Sequence, residues 1–323
     1  MNLNNLKLYI LLEKNIITAK ELAKRFEERG YKYMHEVVAK GILSNDNGMN
    51  IYRGCTHGCI YCDSRSRCYG MNHVFENIEV KVNAPQLLEE ALKRKRKKCM
   101  IGTGAMSDPY IQLEEKVKNT RKCLEIIEKY GFGLAIQTKS NRILRDLDLL
   151  KSINNKSKCV VQMTLTTYDE ELCKIIEPNV STTKERFEVL KIMRDNNIPT
   201  VVWLCPILPY INDTEENIRG ILNYCIEAKV KGIIVFGIGL TLRDGNREYY
   251  YKNLDKNFKG LKEKYISKYG NCYEVVSENH ERLMKIIKET CKMNNIIFGE
   301  EEVFKYMKTF EEKNNEVQVR FDI

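Results

Sequence analysis

Val201-Val-Trp-Leu204, then Asp213-Thr-Glu-Glu216, then Ile233-Ile-Val-Phe-Gly-Ile238 read as a strand, a helix start and a second strand. Both strand runs are continuous in apolar residues rather than alternating, as parallel strands covered on two faces should be. Between them Ile218, Ile221, Leu222, Cys225 and Ile226 fall at i, i+3, i+4, i+7 and i+8 behind a capping box at Asp213–Glu216. The same unit repeats upstream, with strand candidates at Met49–Arg53, Met100–Thr103, Leu134–Thr138 and Val160–Leu165. Thr182 with Glu185 opens a helix that carries Phe187, Leu190 and Met193, and Val117, Thr120, Leu124 and Ile127 stripe another that stops at Gly131. Six strand–helix units in succession predict an α/β fold, a partial (β/α)6 TIM-type barrel with its chemistry on the loops after the strands.

Outward from this core, residues 1–47 read as a helical N-terminal extension, 48–243 as the barrel and 244–323 as a helical C-terminal region without clear strands. In the extension Thr18 and Glu21 form a capping box before Leu22, Ala23 and Phe26, and Gly30 is the stop. Thr18-Ala-Lys-Glu-Leu-Ala23 is similar to the first helix of many helix-turn-helix modules; a helix packed on the barrel is the plainer reading. In the C-terminal region the stretches 256–268, 279–293 and 300–312 are helical in pattern.

The chain has 323 residues, 43% apolar and 30% charged, which excludes collagen-like and globally disordered classes. No run approaches the roughly 18 apolar residues of a membrane span, and Leu8–Leu12 is too short for a signal peptide. A cytoplasmic protein without membrane contact is the expectation. The net charge of +9 permits an anionic or nucleic-acid partner without requiring one. Twelve cysteines in a reducing compartment are thiols, and a tight group among them points to metal. Only four histidines are present, so a site built from histidine is not expected.

The tight group is Cys55-Thr-His-Gly-Cys59-Ile-Tyr-Cys62, directly after the first strand. Three thiolates at this spacing can grip three corners of a [4Fe–4S] cube and leave the fourth iron to a ligand that is not protein. Two other readings stand beside it: a zinc site completed by Cys68, or three ordinary buried thiols.

Taken with Asn50–Ser66 around these cysteines, five further passages extend the pattern: Ser107-Asp-Pro-Tyr110, Thr138-Lys-Ser140, Arg145-Asp-Leu-Asp-Leu-Leu150, Glu177-Pro178 and Pro206-Ile-Leu-Pro209. In this order and spacing the chain resembles the radical S-adenosylmethionine superfamily, in the subgroup related to spore photoproduct lyase. The resemblance implies a [4Fe–4S] cluster on Cys55, Cys59 and Cys62. It implies S-adenosylmethionine chelated by the open iron and cleaved by one electron to a 5′-deoxyadenosyl radical, with a flavodoxin- or ferredoxin-type donor. Carried over residue by residue, Tyr61 presents its backbone to the adenine and Ser107 and Asp108 meet the methionine portion. Lys139 pairs with the cofactor carboxylate, Thr164 lies near the ribose, and Arg186 is a further carboxylate candidate. The substrate is unidentified, with a nucleotide or nucleic acid as the candidate. Repair of DNA photoproducts is the alternative activity, and a zinc- or cluster-binding sensor without turnover is the alternative outside catalysis. The chain departs from the lyase where that enzyme has a hydrogen-returning cysteine: the position reads Ala105, and Asp63 follows the third cluster cysteine. Alanine has no weak S–H bond to give, so S-adenosylmethionine is expected to be consumed rather than regenerated.

Three other features have competing readings. Lys93–Lys98 is a solvated helix end or a contact for nucleic-acid backbone, and Tyr249–Tyr251 is half-buried packing or a base-stacking surface. Gly237-Ile-Gly239 is a fragment of a phosphate loop or a close approach to ligand in the barrel mouth.

Overall fold

A computed structural model describes residues 34–313; the capping box and stop at Thr18, Glu21 and Gly30 lie outside them. The strands are β1 (Met34–Val37), β2 (Gly48–Met49), β3 (Tyr52–Arg53), β4 (Ile78–Lys81), β5 (Met100–Thr103), β6 (Gly133–Thr138), β7 (Cys159–Thr164), β8 (Thr200–Trp203), β9 (Gly232–Ile234), β10 (Gly239–Thr241), β11 (Glu274–Val276) and β12 (Ile297–Phe298). The helices are α1 (Ala84–Arg94), α2 (Glu114–Val117), α3 (Asn119–Tyr130), α4 (Leu147–Lys156), α5 (Glu170–Ile176), α6 (Thr183–Asp195), α7 (Glu215–Glu227), α8 (Asn246–Asn257), α9 (Leu261–Tyr269), α10 (His280–Met293) and α11 (Glu300–Lys308).

Seven strands form one sheet in the order β12-β9-β8-β7-β6-β5-β2, and every neighbouring pair is parallel. This is the partial TIM-type barrel the strand–helix repeat predicts. Successive side chains of a strand point to opposite faces, which sorts the apolar runs into two layers. Ile101, Leu134, Ile136, Val161, Met163, Val202 and Ile233 pack outward against the helices. Met100, Ala135, Val160, Val201 and Ile234 point inward, where Val303 and Met307 of α11 cover them. Buried Lys158 fixes α11 from below, donating to Tyr306 O at 2.8 Å and to Thr309 O at 3.2 Å. α11 therefore floors the amino-terminal half of the inner face and leaves the carboxyl-terminal half open.

Several sequence expectations need correction. Met49–Arg53 is not one strand: β2 joins the large sheet, while β3 pairs antiparallel with β4 in a small sheet of order β1-β4-β3. Part of the stretch read as a helical N-terminal extension, Met34–Val37, is the parallel partner of β4. The C-terminal region is not purely helical, since β11 pairs with β10 and β12 extends the large sheet. These strands are only two to four residues long and are fixed by partners far away in sequence, so no local pattern announces them. The Thr182–Glu185 capping box forms, but α7 is capped by Thr214, and Asp213 instead accepts a hydrogen bond from the Ser277 hydroxyl. Val117 ends α2, separate from α3, because Lys118 takes a left-handed φ of 55° between them. The Lys93–Lys98 run closes α1 at the amino-terminal side of the sheet, with Lys93 3.5 Å from Glu89 and Lys98 2.8 Å from Glu312.

A buried polar knot locks β3 to the helical layer. Glu114, wholly buried, accepts from the Tyr52 hydroxyl, from Thr120 N at 3.0 Å and from the Arg145 guanidinium at 2.7 Å. Arg145 also reaches Asp146 at 2.7 Å, and Asp146 accepts from Tyr110 Oη at 3.0 Å. Removing the cation leaves buried Glu114 without a counter-charge, which costs several kcal/mol. Arg145→Met should therefore lower stability by about 3 kcal/mol in urea unfolding of the full chain. A loss below about 1 kcal/mol would show that Arg121, 3.0 Å from Asp146, suffices for the knot.

Candidate active site

At the carboxyl ends of the strands lies a cavity of about 530 Å³. Cys55, Cys59 and Cys62 are in its wall, with Tyr61, Ser107, Asp108, Lys139 and Thr164. Eight of the nine residues expected to form the site are thus brought together.

The cysteine loop leaves β3 and is stitched to its surroundings through backbone groups. Cys55 N donates to Phe75 O at 3.1 Å, Ile60 N to Ile176 O at 3.0 Å, and Asn179 N to His57 O at 3.1 Å. Gly54, at φ 89°, passes so close to Phe75 that a Cβ would stand 2.4 Å from its carbonyl oxygen. Gly58, at φ 71°, lies against Pro178 and Asn179, so both glycines are required by the path.

Asp108 ties three loops together. Oδ1 accepts from Tyr110 N at 2.8 Å and Thr138 Oγ1 at 2.7 Å, while Oδ2 accepts from Lys139 N at 2.7 Å and lies 3.5 Å from His57 Nδ1. Ser107 Oγ donates to Gly54 O at 2.5 Å. Ser107 and Asp108 therefore hold the cavity wall together, and their polar atoms are largely committed to protein.

Lys139 is different. Its ammonium makes one long hydrogen bond, 3.4 Å to Thr164 Oγ1, and lies 5.9 Å from the Tyr61 ring centroid, leaving donors for a ligand. Burial alone would push its pKa down, but the fields of Cys59 and Glu177 outweigh this and hold it above the ordinary lysine value.

Arg186 does not share the wall, a correction to the sequence expectation. It is fully buried behind the cavity, where its guanidinium donates to Glu177 at 2.5 Å and to Thr164 O at 2.6 Å. It sits in the first turn of α6, which turns it down onto Glu177 rather than up to the mouth. Burial would raise the Glu177 pKa, yet Arg186 and Lys139 keep it below the usual value and therefore ionised. Glu177 also accepts from the Tyr61 hydroxyl, so the tyrosine is anchored by its tip.

Sequence reasoning missed His57, Cys205, Trp203, Phe236 and His280, all in the same wall. Trp203 and Phe236 have ring centroids 5.9 Å apart, and Phe236 is 54% exposed. The inward alternation of β8 could have found Trp203; Phe236 follows β9 in a loop and carries no such signal. Gly237 and Gly239 also reach the cavity, as expected of a close approach in the mouth. Tyr250 does not: it is buried against Tyr265, hydroxyl to hydroxyl at 3.0 Å, which settles it as packing.

The three cysteines fit a cluster better than a single ion. All are free thiols, and their sulfurs do not all come within 4.8 Å of one another. A tetrahedral zinc with Zn–S of about 2.3 Å needs sulfurs about 3.8 Å apart. Cys68 is exposed, its sulfur 3.3 Å from Arg243 Nη1. Beside the cysteines, buried His57 Nε2 has no hydrogen-bond partner, as expected of a wall that awaits a polar group.

These observations agree with comparisons to known proteins. The chain is 34% identical over 169 residues to an uncharacterized protein of Methanocaldococcus jannaschii, covering 52% of this chain and 62% of that one. It thus spans less than two thirds of that relative's length. An uncharacterized protein of Mycobacterium tuberculosis is 27% identical over 233 residues, 67% of each chain. Among solved structures, spore photoproduct lyase complexed with dinucleoside spore photoproduct superposes with a TM-score of 0.60, covering 82% of both chains at 15% identity, which establishes a shared fold. No helix among the described residues is long and apolar enough to cross a membrane. The model of the radical SAM superfamily, whose members use a [4Fe–4S] cluster and S-adenosylmethionine, matches residues 49–225, from the end of β2 to the helix after β8, and the protein belongs to that superfamily.

Proposed function

We propose that this protein is a radical S-adenosylmethionine enzyme that holds its cluster on Cys55, Cys59 and Cys62 and acts on a nucleotide or nucleic acid. The observation that carries the reading is Lys139: a half-buried ammonium with donors to spare, facing the same cavity as the three thiols. When bound, the cluster supplies the electron that cleaves S-adenosylmethionine to a 5′-deoxyadenosyl radical. The chain's own residues bind and orient. Lys139 offers its charge to the cofactor carboxylate, Thr164 stands beside it, and Tyr61, pinned by Glu177, presents its backbone to the adenine. Ser107 and Asp108 act as the frame that keeps these groups in register.

The substrate class rests on two aromatic residues of the same cavity. Trp203 and the exposed Phe236 offer aromatic faces, and a base–aromatic stack contributes roughly 1–3 kcal/mol. Ala105 is also in the wall and brings a methyl group where photoproduct repair would want a thiol, which favours consumption of the cofactor over its regeneration. An external one-electron donor of flavodoxin or ferredoxin type completes the reading.

Three measurements test it. Reconstituted Cys62→Ala should lose about a quarter or more of its iron and all formation of 5′-deoxyadenosine, since one corner of the cube loses its ligand. Persistent cofactor cleavage in this variant would refute the proposed ligand set. Lys139→Ala should bind S-adenosylmethionine about 1.5–3 kcal/mol more weakly by calorimetry, the range of a charge-assisted bond, with its iron content unchanged. Equal affinities would remove the lysine from the cofactor. Phe236→Ala should weaken binding of a single-stranded oligodeoxynucleotide by about 1–3 kcal/mol in fluorescence anisotropy; unchanged binding would count against a stacked base.

A further inference from the structure

The small sheet brings together a second set of metal-ligating side chains, away from the cavity. His35 on β1 stands opposite Glu79 on β4 in the parallel ladder, and His73 enters from the loop that precedes β4. One donor atom from each of the three lies within 4.8 Å of the others. The two imidazoles meet edge to face, with centroids 4.8 Å apart and planes at 83°.

The other ring nitrogens explain why these histidines are so placed. His35 Nδ1 is 3.2 Å from Asn77 Oδ1, and His73 Nδ1 is 3.0 Å from Val74 O. A carbonyl oxygen only accepts, so each Nδ1 carries the proton and each Nε2 keeps the lone pair. Holding one nitrogen on a carbonyl while the other stays free is how proteins orient metal-ligating histidines. His73 Nε2 is buried and has no hydrogen-bond partner; Glu79 Oε2, at 3.8 Å, is too far to accept from it. Any two nitrogen or oxygen ligands of a tetrahedral zinc are about 3.3 Å apart, so a small closure would bring this pair onto one ion. The neighbouring cations are committed elsewhere, Arg53 to Tyr69 O at 2.7 Å and Gly70 O at 2.9 Å, and Lys81 to Asn50 O at 2.8 Å.

We propose that His35, His73 and Glu79 bind one divalent transition-metal ion, zinc by the character of the ligands, with its fourth position open to water. The scarcity of histidine pointed away from such a site, yet two of the four are used in it. The ion would fasten the 73–79 segment onto β1, and this segment carries Phe75, whose carbonyl accepts from Cys55 N. The site would thereby brace the loop of the first cluster cysteine from behind.

The test uses the full chain with its cluster reconstituted anaerobically, then equilibrated with zinc and desalted. Metal per chain is counted by mass spectrometry, and the zinc environment is read by X-ray absorption. The wild type should retain one zinc with nitrogen and oxygen neighbours only, His73→Ala and Glu79→Gln at least tenfold less, and all three the same iron. Zinc ligated by sulfur, or equal zinc in wild type and Glu79→Gln, would overturn the site. The isosteric Glu79→Gln decides the matter should His73→Ala fail to fold.

Discussion

The site depends on one carboxylate accepting from three directions. Asp108 draws in the backbone after β5 through Tyr110, the end of β6 through Thr138 and the following loop through the Lys139 amide, with His57 of the cysteine loop beside it. Loops after parallel strands have no ladder to hold them, so their relative positions must be set by such side-chain bonds. With Ser107 bonded to the Gly54 carbonyl, the same two residues connect the barrel to the loop that bears the cysteines. Lys139 can face the cavity because its own amide is fastened behind it.

Beneath this frame a line of charge crosses the buried floor of the site. Glu177 accepts from Arg186 and from Tyr61, and Arg186 in turn grips the carbonyl of Thr164. Buried charges persist only when paired and hydrogen-bonded, and each here is. The result is a rigid support in which the tyrosine, the threonine and the lysine are held by one another rather than by solvent.

Much of this was legible beforehand, and the exceptions have physical causes. The inner strands of the large sheet announce themselves because both faces are covered, so apolar residues run without a break through Leu134–Ile136 and Val160–Val161. The cysteines, Lys139 and Thr164 were legible as a motif and do share one cavity. Met34–Val37, Ile78–Lys81 and Ile297–Phe298 were not, because they are short, the first two are partly polar, and all become strands only against distant partners. Arg186 was misplaced for a related reason: sequence puts it near the site, but only the fold shows that Glu177 waits below to capture it. His57 and Phe236 sit in loops, where side-chain direction follows no period. At 15% identity over the matched chain, the lyase keeps the same fold.

The helix α11 also governs traffic. By lying across Val160, Val201 and Ile234 it seals the lower end of the sheet's inner surface with Val303 and Met307. The cavity above it is therefore approached from the side of the strand ends rather than along the strands from below. These turns thus act as a bulkhead. They lie beyond the residues that match the superfamily, yet they make the space above them a vessel closed at its base.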